Sequence, residues 1–344
     1  MIDSVLAVCG WSGSGKTTLL EAVIVELVAS GLRVALVKHD AHGIEVDRPG
    51  KDSDRLFSAG ADICLRGPNE VVWRYRPGVS TSLESSVRQL SYGHDLVLVE
   101  GHKQTPLPKF WLGTADDPVP PEQVTEVLGV LPWDGDRKTY LLRFIERWLP
   151  EVWQKRRLLA GILLGGGSQR MGRPKQLLSL GGSSFIERVS EVLDSQCDEI
   201  VLLGDGEVPE VLAPLTRLPD VQGASGPIAG MISAMRWQPD TAWVFLACDM
   251  PLVSAEAVAW LVDQRQPGRW AIVPRDHEGR LEPLFALYEP QAGPCFEELL
   301  MRGFRAPRRI SELINLWSVT PPPELEEAWR NVNTAEDLIS LKSS

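Results

Sequence analysis

What this 344-residue chain lacks already narrows its chemistry. No apolar run approaches the ~20 residues that a membrane-spanning helix needs. The five cysteines (Cys9, Cys64, Cys197, Cys248, Cys295) are odd in number and scattered, with no Cys-x-x-Cys pair. This argues against a disulfide framework, a zinc site or an iron–sulfur cluster, and for a reducing cytoplasm. Positive charge is also scarce: 35 Lys and Arg against 46 Asp and Glu leave a net charge of −11. Nucleic acids and anionic membranes are bound through basic surface, so neither is an expected partner. The opening residues Met1-Ile2-Asp3-Ser4 carry no basic segment or cleavage signal and lead directly into a strand. A cytoplasmic protein is the expectation.

What the chain does contain is two glycine-rich loops of different design, each directly behind an apolar run. The first is Gly10-Trp11-Ser12-Gly13-Ser14-Gly15-Lys16-Thr17 after Val5–Val8, a full G-x-x-x-x-G-K-[ST] match. The second, Leu164-Gly165-Gly166-Gly167-Ser168-Gln169-Arg170-Met171-Gly172-Arg173-Pro174-Lys175, follows Leu158–Leu164. The length suits about two domains. An anionic substrate of so acidic a chain needs local cations, and Lys16, Arg170, Arg173 and Lys175 lie inside the loops.

Strand-like and helix-like segments alternate throughout, which predicts α/β architecture with largely parallel strands. In the first half, strands are expected at 5–8, 32–38, 61–65, 71–75 and 95–100, with helices at 18–30, 54–59, 83–90 and 139–154. In the second, strands are expected at 158–164, 199–203, 242–247, 270–273 and 281–288. Helices are expected at 184–195, up to Trp237, at 255–264 and 293–301, and from Ala335. The seam is placed near 155, giving domains 1–155 and 156–344.

In the first loop the glycines let backbone N–H groups close on phosphate oxygens. Gly10, Gly13, Ser14, Gly15, Lys16, Thr17 and Thr18 form the expected nucleotide site, with Lys16 as mobile cation and the Thr17 hydroxyl as a Mg²⁺ ligand. Glu100, ending a buried strand, is either a second holder of Mg²⁺ or its water, or a solvated strand-end acid. His39 and His42 lie in a polar stretch and are expected to be solvated or phosphate-facing, not metal ligands. The second loop lacks G-K-T and the G-x-G-x-x-G of a dinucleotide turn. Leu164, Gly165, Gly166, Gly167, Arg170 and Lys175 are read as its triphosphate contacts. Asp249, ending the 242–247 strand, is either a Mg²⁺ ligand or a turn acid before Pro251.

The first half resembles the MobB family of P-loop GTPases. The resemblance rests on the loop 10–17, Lys38-His39, Val46-Asp47-Arg48-Pro49-Gly50-Lys51-Asp52-Ser53 with Ala59-Gly60-Ala61, and Val99-Glu100-Gly101. The second half resembles the MobA family of molybdenum cofactor guanylyltransferases, within the glycosyltransferase-A-like nucleotidyltransferases. Its matching stretches are 164–175, Pro219-Asp220, 226–230, Cys248-Asp249-Met250-Pro251, Glu282-Pro283-Leu284 and Asn331-Val332-Asn333-Thr334. Gly204-Asp205-Gly206 stands where that family commonly has an Asn. The implied fold is a P-loop NTPase-like parallel sheet followed by a Rossmann-like nucleotidyltransferase sheet.

The resemblance further implies that Lys175 and Asp249 serve catalysis, with Asp249 holding Mg²⁺. Asp220 would lie toward the nucleoside, and Asn333 near the metal and the pterin phosphate. The implied substrates are GTP and molybdopterin, the product molybdopterin guanine dinucleotide. A molybdoenzyme apoprotein or its chaperone would receive it. The first half would bind and slowly hydrolyse GTP as an accessory module. Three alternatives stay open at this point: cytidylyl transfer, a sugar-phosphate acceptor, or a kinase-like first half. From a different class, the chain could be a GTP-gated carrier without catalysis.

Overall fold

Residues 5–10 are apolar on both faces, as a central parallel strand must be when helices cover both sides of its sheet. The computed structural model describes residues 4–39, 47–76, 82–164, 174–303, 309 and 316–343. The first half runs β1 (Val5–Gly10), α1 (Lys16–Ala29), β2 (Val34–Lys38), α2 (Asp52–Ser58), β3 (Ile63–Arg66), β4 (Val71–Arg74) and α3 (Leu83–Ser91). It continues with β5 (Leu96–Glu100), β6 (Lys109–Leu112), β7 (Val127–Leu131) and α4 (Arg137–Gln154). Its main sheet has the order β2-β5-β1-β6-β7, and every pairing is parallel.

Alternate residues of β1 serve opposite faces. Leu6 and Val8 pack with Leu20 and Val23 of α1 and Leu141 and Ile145 of α4. Val5, Ala7 and Cys9 pack with Val87 of α3 and with Trp111. β3 and β4 depart from the expected parallel sheet. They form a separate antiparallel hairpin, with Val71 and Trp73 on its exposed side.

The second half runs β8 (Leu158–Leu163), β9 (Ser179–Leu180), β10 (Ser183–Ser184), α5 (Phe185–Asp194), β11 (Glu199–Leu203), β12 (Thr216–Leu218), α6 (Pro227–Trp237) and β13 (Ala242–Ala247). Then come α7 (Ala255–Asp263), β14 (Ala271–Pro274), β15 (Phe285–Tyr288), α8 (Ala292–Met301), β16 (Leu316–Val319) and α9 (Ala335–Ser343). The sheet order is β12-β11-β8-β13-β15-β14-β16, with β15 antiparallel to both neighbours. One face packs on α5 and α7, the other on α6 and α8. Gly161 is required inside β8: a Cβ there would lie 2.7 Å from both Leu203 and Phe245. α5 begins with a capping box between Ser184 and Glu187.

The two sheets meet across buried polar groups. Glu289 is fully buried between two guanidiniums: Arg265 Nε donates to it at 2.8 Å, and Arg156 Nη1 lies at 3.3 Å. Arg156 also donates to Ser4 Oγ at 2.6 Å, across the seam. Asp95, at the start of β5, accepts from Trp270 Nε1 at 2.7 Å, from Gly268 N at 3.1 Å and from Arg33 N at 2.8 Å. Trp270 itself joins the apolar cluster between β1, α1 and α4. Removing one member of a buried ion network strands the others. Glu289→Ala should therefore cost about 3–5 kcal/mol of stability. Urea unfolding of the whole chain measures this, and a loss below about 1 kcal/mol would show that water reaches the network.

Candidate nucleotide sites

In both sheets the glycine-rich loop follows the carboxyl end of the strand at which the chain reverses direction across the sheet. β1 lies between β5 and β6, and β8 between β11 and β13. Open α/β sheets bind ligands at such switch points.

At the first site, Gly15 has φ +86° and precedes α1, whose first residue is Lys16. Lys16 Nζ reaches back to the loop, donating to Trp11 O at 2.8 Å and Gly10 O at 3.3 Å. Burial holds its ammonium below the ordinary lysine range. Glu100 opposes the shift, while Lys103 and Lys38 add to it. Thr17 Oγ1 donates to Glu100 Oε1 at 2.9 Å, so the residues expected to hold Mg²⁺ are brought together from 83 positions apart. Glu100 is only 8% exposed, and its Oε2 is buried without a hydrogen-bond partner among the described residues. A buried carboxylate oxygen with an open lone pair beside a threonine hydroxyl suits a hard cation that takes oxygen ligands. Thr18 is exposed on the first turn of α1.

Lys103 lies over the Trp11 ring, its Nζ 3.9 Å from the centroid, and Trp11 meets Trp111 edge-on. Lys109 is fully buried. It ties the 101–108 segment to the turn before β7 by donating to Thr105 O at 2.5 Å and Thr125 O at 2.8 Å. Arg137, from α4, donates to Ser14 O at 2.8 Å. None of these three supports is foreseen from the motif alone. His39 and His102 face each other at 5.2 Å, whereas His42 lies outside the described residues. No group of three metal-ligating side chains is found among the described residues.

At the second site, Leu164 continues β8, its N–H bonded to Leu203 O at 2.8 Å. Gly165, Gly166, Gly167 and Arg170 lie outside the described residues. Lys175 opens a single 3₁₀ turn after Pro174. Its Nζ donates to Asp249 Oδ2 at 2.9 Å and to Asn333 Oδ1 at 2.7 Å. Asp249 follows β13, and its carbonyl accepts from Val332 N at 2.9 Å, which docks the 331–334 segment on the strand end. Three of the expected residues thus converge from three distant segments. Asp249 presents a partly exposed carboxylate beside an amide oxygen, a donor set that also suits Mg²⁺.

Asp220 stands apart from this trio, against Gly204 and Gly230, where added methyl groups would meet its Oδ1 at 3.4 and 3.5 Å. Burial raises its pKa, and the nearby Asp205 adds to the rise. The 204–206 turn is gripped by Arg217, which donates to Gly204 O at 3.1 Å and Gly206 O at 2.7 Å. Beside Asn333 opens a cleft of about 450 Å³, lined by Arg275, Arg280, Glu282, Trp329 and Arg330 among others.

Asn333 is held in place by Asp337. Its carboxylate accepts from Asn333 N at 2.9 Å and Thr334 N at 2.8 Å, and Thr334 Oγ1 accepts from Asp337 N at 3.1 Å. This reciprocal cap has a sequence signal of its own, Thr334-x-x-Asp337. The N–H donors, Asn333 first and Thr334 second, hold the Asp337 carboxyl below its usual pKa. A depressed carboxyl stabilises the fold above its unfolded pKa and loses that contribution as pH falls through its folded one. Hydrogen exchange should therefore show the Asn333 and Thr334 amides protected at neutral pH and released below the ordinary carboxylate range. Asp337→Ala should release them at neutral pH; unchanged protection in that variant would refute the cap.

Comparison with known proteins assigns both halves. The family described as molybdopterin guanine dinucleotide synthesis protein B matches residues 5–130, and the MobA-like NTP transferase domain matches residues 160–316. A molybdopterin-guanine dinucleotide biosynthesis adapter protein of Haemophilus influenzae is 38% identical over 160 residues, 42% of this chain and 88% of the relative. A probable molybdenum cofactor guanylyltransferase of Bacillus cytotoxicus is 31% identical over 191 residues, 53% of this chain and 96% of the relative. Among solved structures, molybdopterin-guanine dinucleotide biosynthesis protein A from Archaeoglobus fulgidus is 26% identical, with a TM-score of 0.47, covering 54% of this chain and 97% of its own. A MobB homologue from Bacillus stearothermophilus is 22% identical, with a TM-score of 0.33, covering 42% and 98%. No helix among the described residues is long and apolar enough to cross a membrane. The chain belongs to the MobB family through its first half and to the MobA-like molybdenum cofactor guanylyltransferase family through its second.

Proposed function

We propose that the chain is a bifunctional enzyme of molybdenum cofactor assembly, divided into modules 1–155 and 156–344. The second module transfers GMP from GTP to the terminal phosphate of molybdopterin, giving molybdopterin guanine dinucleotide and pyrophosphate. The first binds GTP and hydrolyses it slowly as an accessory module. The finished dinucleotide would pass to a molybdoenzyme apoprotein or its chaperone. The convergence of Lys175, Asp249 and Asn333 carries this reading. The name shared by several relatives, molybdenum cofactor guanylyltransferase, supports its substrate.

The chemistry needs no side-chain nucleophile. An oxygen of the pterin phosphate attacks the α-phosphorus of GTP, the bond to the β-phosphate oxygen breaks, and pyrophosphate leaves with its electron pair. Lys175 supplies a cation for the departing oxygens, trading its carboxylate and amide partners for phosphate. Asp249 and Asn333 would hold Mg²⁺, which neutralises triphosphate charge. The cleft beside Asn333, with Arg275, Arg280 and Arg330 on its walls, suits an anionic acceptor. Asp220 would lie toward the nucleoside.

In the first module, Lys16 and the amides at the start of α1 take the phosphates. Thr17 and Glu100 would hold Mg²⁺ there.

Two substitutions test the division of labour. Lys16→Ala should lower GTP hydrolysis by roughly two or more orders of magnitude while leaving guanylyl transfer within a few-fold. Equal loss of both activities would mean one composite site. Asp249→Asn should lower pterin-dependent pyrophosphate release by about 100-fold or more, the size of one preorganised transition-state contact. Its melting temperature without Mg²⁺ should move by only a few degrees, because a partly exposed ion pair stabilises little. Near-normal transfer, or an unfolded protein, would remove Asp249 from the mechanism.

A further inference from the structure

Arg137 belongs to neither motif and lies beyond the 5–130 stretch matched by the MobB family. It is the first residue of α4, with its backbone fixed by the Asp136 cap on Thr139 N. Its guanidinium donates to three carbonyls: Nε to Pro132 O at 2.7 Å, Nη1 to Ser14 O at 2.8 Å, and Nη2 to Gly113 O. These carbonyls belong to the segments leaving the carboxyl ends of β7, β1 and β6, three adjacent strands. All three acceptors are neutral, so the cation is brought to the loop without a carboxylate among these partners. The Trp133 ring centroid lies 5.3 Å from its Cζ, and burial lowers its pKa.

We infer that Arg137 is a positioning residue for phosphate binding in the first module, acting through the Ser14–Gly15 peptide. This rests on reading that module as a nucleotide binder. The Ser14 carbonyl and the Gly15 N–H are the two ends of one planar unit. A guanidinium on the oxygen polarises the unit and strengthens the N–H as a donor, since linked hydrogen bonds reinforce one another. The same bond pins Gly15 in its left-handed conformation at the start of α1. Loop amides then face the phosphates without an ordering cost at binding. The charge also adds to the positive end of the α1 dipole. Arg137 also borders Gly15 itself: a Cβ there would meet Nη1 at an ordinary contact distance of 3.9 Å.

The test uses the full-length chain and titration calorimetry, following the component of GTP binding that Lys16→Ala abolishes. Arg137→Ala should weaken that component about 10- to 100-fold, the size of a charge-assisted hydrogen bond. GDP should lose a comparable factor and GMP only a few-fold, because the loop addresses the outer phosphates. Arg137→Lys keeps the stem and the charge but not the fork. It should fall between wild type and Arg137→Ala, and it serves as the reporter if the alanine variant does not fold. Lys138→Ala, which breaks only an exposed pair with Glu26, should bind like wild type. Two results would overturn the inference: wild-type GTP affinity in both Arg137 variants, or equal weakening of GTP, GDP and GMP. Absence of any Lys16-dependent binding in the wild type is a distinct result. It would remove the nucleotide reading of the first module, and the role of Arg137 with it.

Discussion

Glu289 is buried between Arg156 and Arg265, and the further bonds of these two arginines to Ser4 and Gln154 tie the two sheets together. Three charges removed from water are tolerable only when each meets its partners in good geometry. Those partners come from the end of α4, the start of β1, the turn after α7 and the end of β15. Asp95 imposes a matching constraint nearby, since its carboxylate is satisfied by donors from both halves. Trp270 fills apolar space that β1, α1 and α4 leave open. Two modules that read as separate in sequence therefore share an interior, and residues 154–156, where the seam is expected, lie against it.

Within that frame each sheet answers one electrostatic problem in its own way. A chain of net charge −11 has to bind polyphosphate, so cations and N–H donors must be concentrated where the anion sits. The first site uses a helix start, a lysine folded onto loop carbonyls, and a guanidinium behind the loop. The second uses a lysine clamped between a carboxylate and an amide. In both, the lysine has polar partners that phosphate oxygens can replace, so its charge is never left buried without compensation. Both sites sit at the carboxyl end of the strand where the sheet order reverses.

The strands Glu199–Leu203 and Ala242–Ala247 are legible because an uninterrupted apolar run with turn residues behind it has few other solutions. The phosphate loops are legible for a different reason, since glycine spacing encodes backbone geometry directly. β6 escapes such reading: it is four residues long and begins with Lys109, whose burial depends on carbonyls in other loops. The β3–β4 hairpin reads as two strands, but nothing local shows that they leave the main sheet. Asp337 has a readable capping pattern, yet its importance follows only from the contact between Asn333 and Lys175. Arg137 and Glu289 carry no local signal, because the partners that give them their roles, Ser14 and Arg156, lie 123 and 133 residues away. The motifs thus name the groups proposed to meet ligand, while the groups that hold them are fixed by tertiary structure.

The central claim is that the second module joins a guanine nucleotide to a pterin phosphate. Its most direct test is pyrophosphate release with each of the four nucleoside triphosphates, with and without molybdopterin, followed by identification of the product. Release should require both GTP and molybdopterin and yield molybdopterin guanine dinucleotide. Equal or faster release with CTP, or release that a sugar phosphate supports in place of molybdopterin, would contradict it.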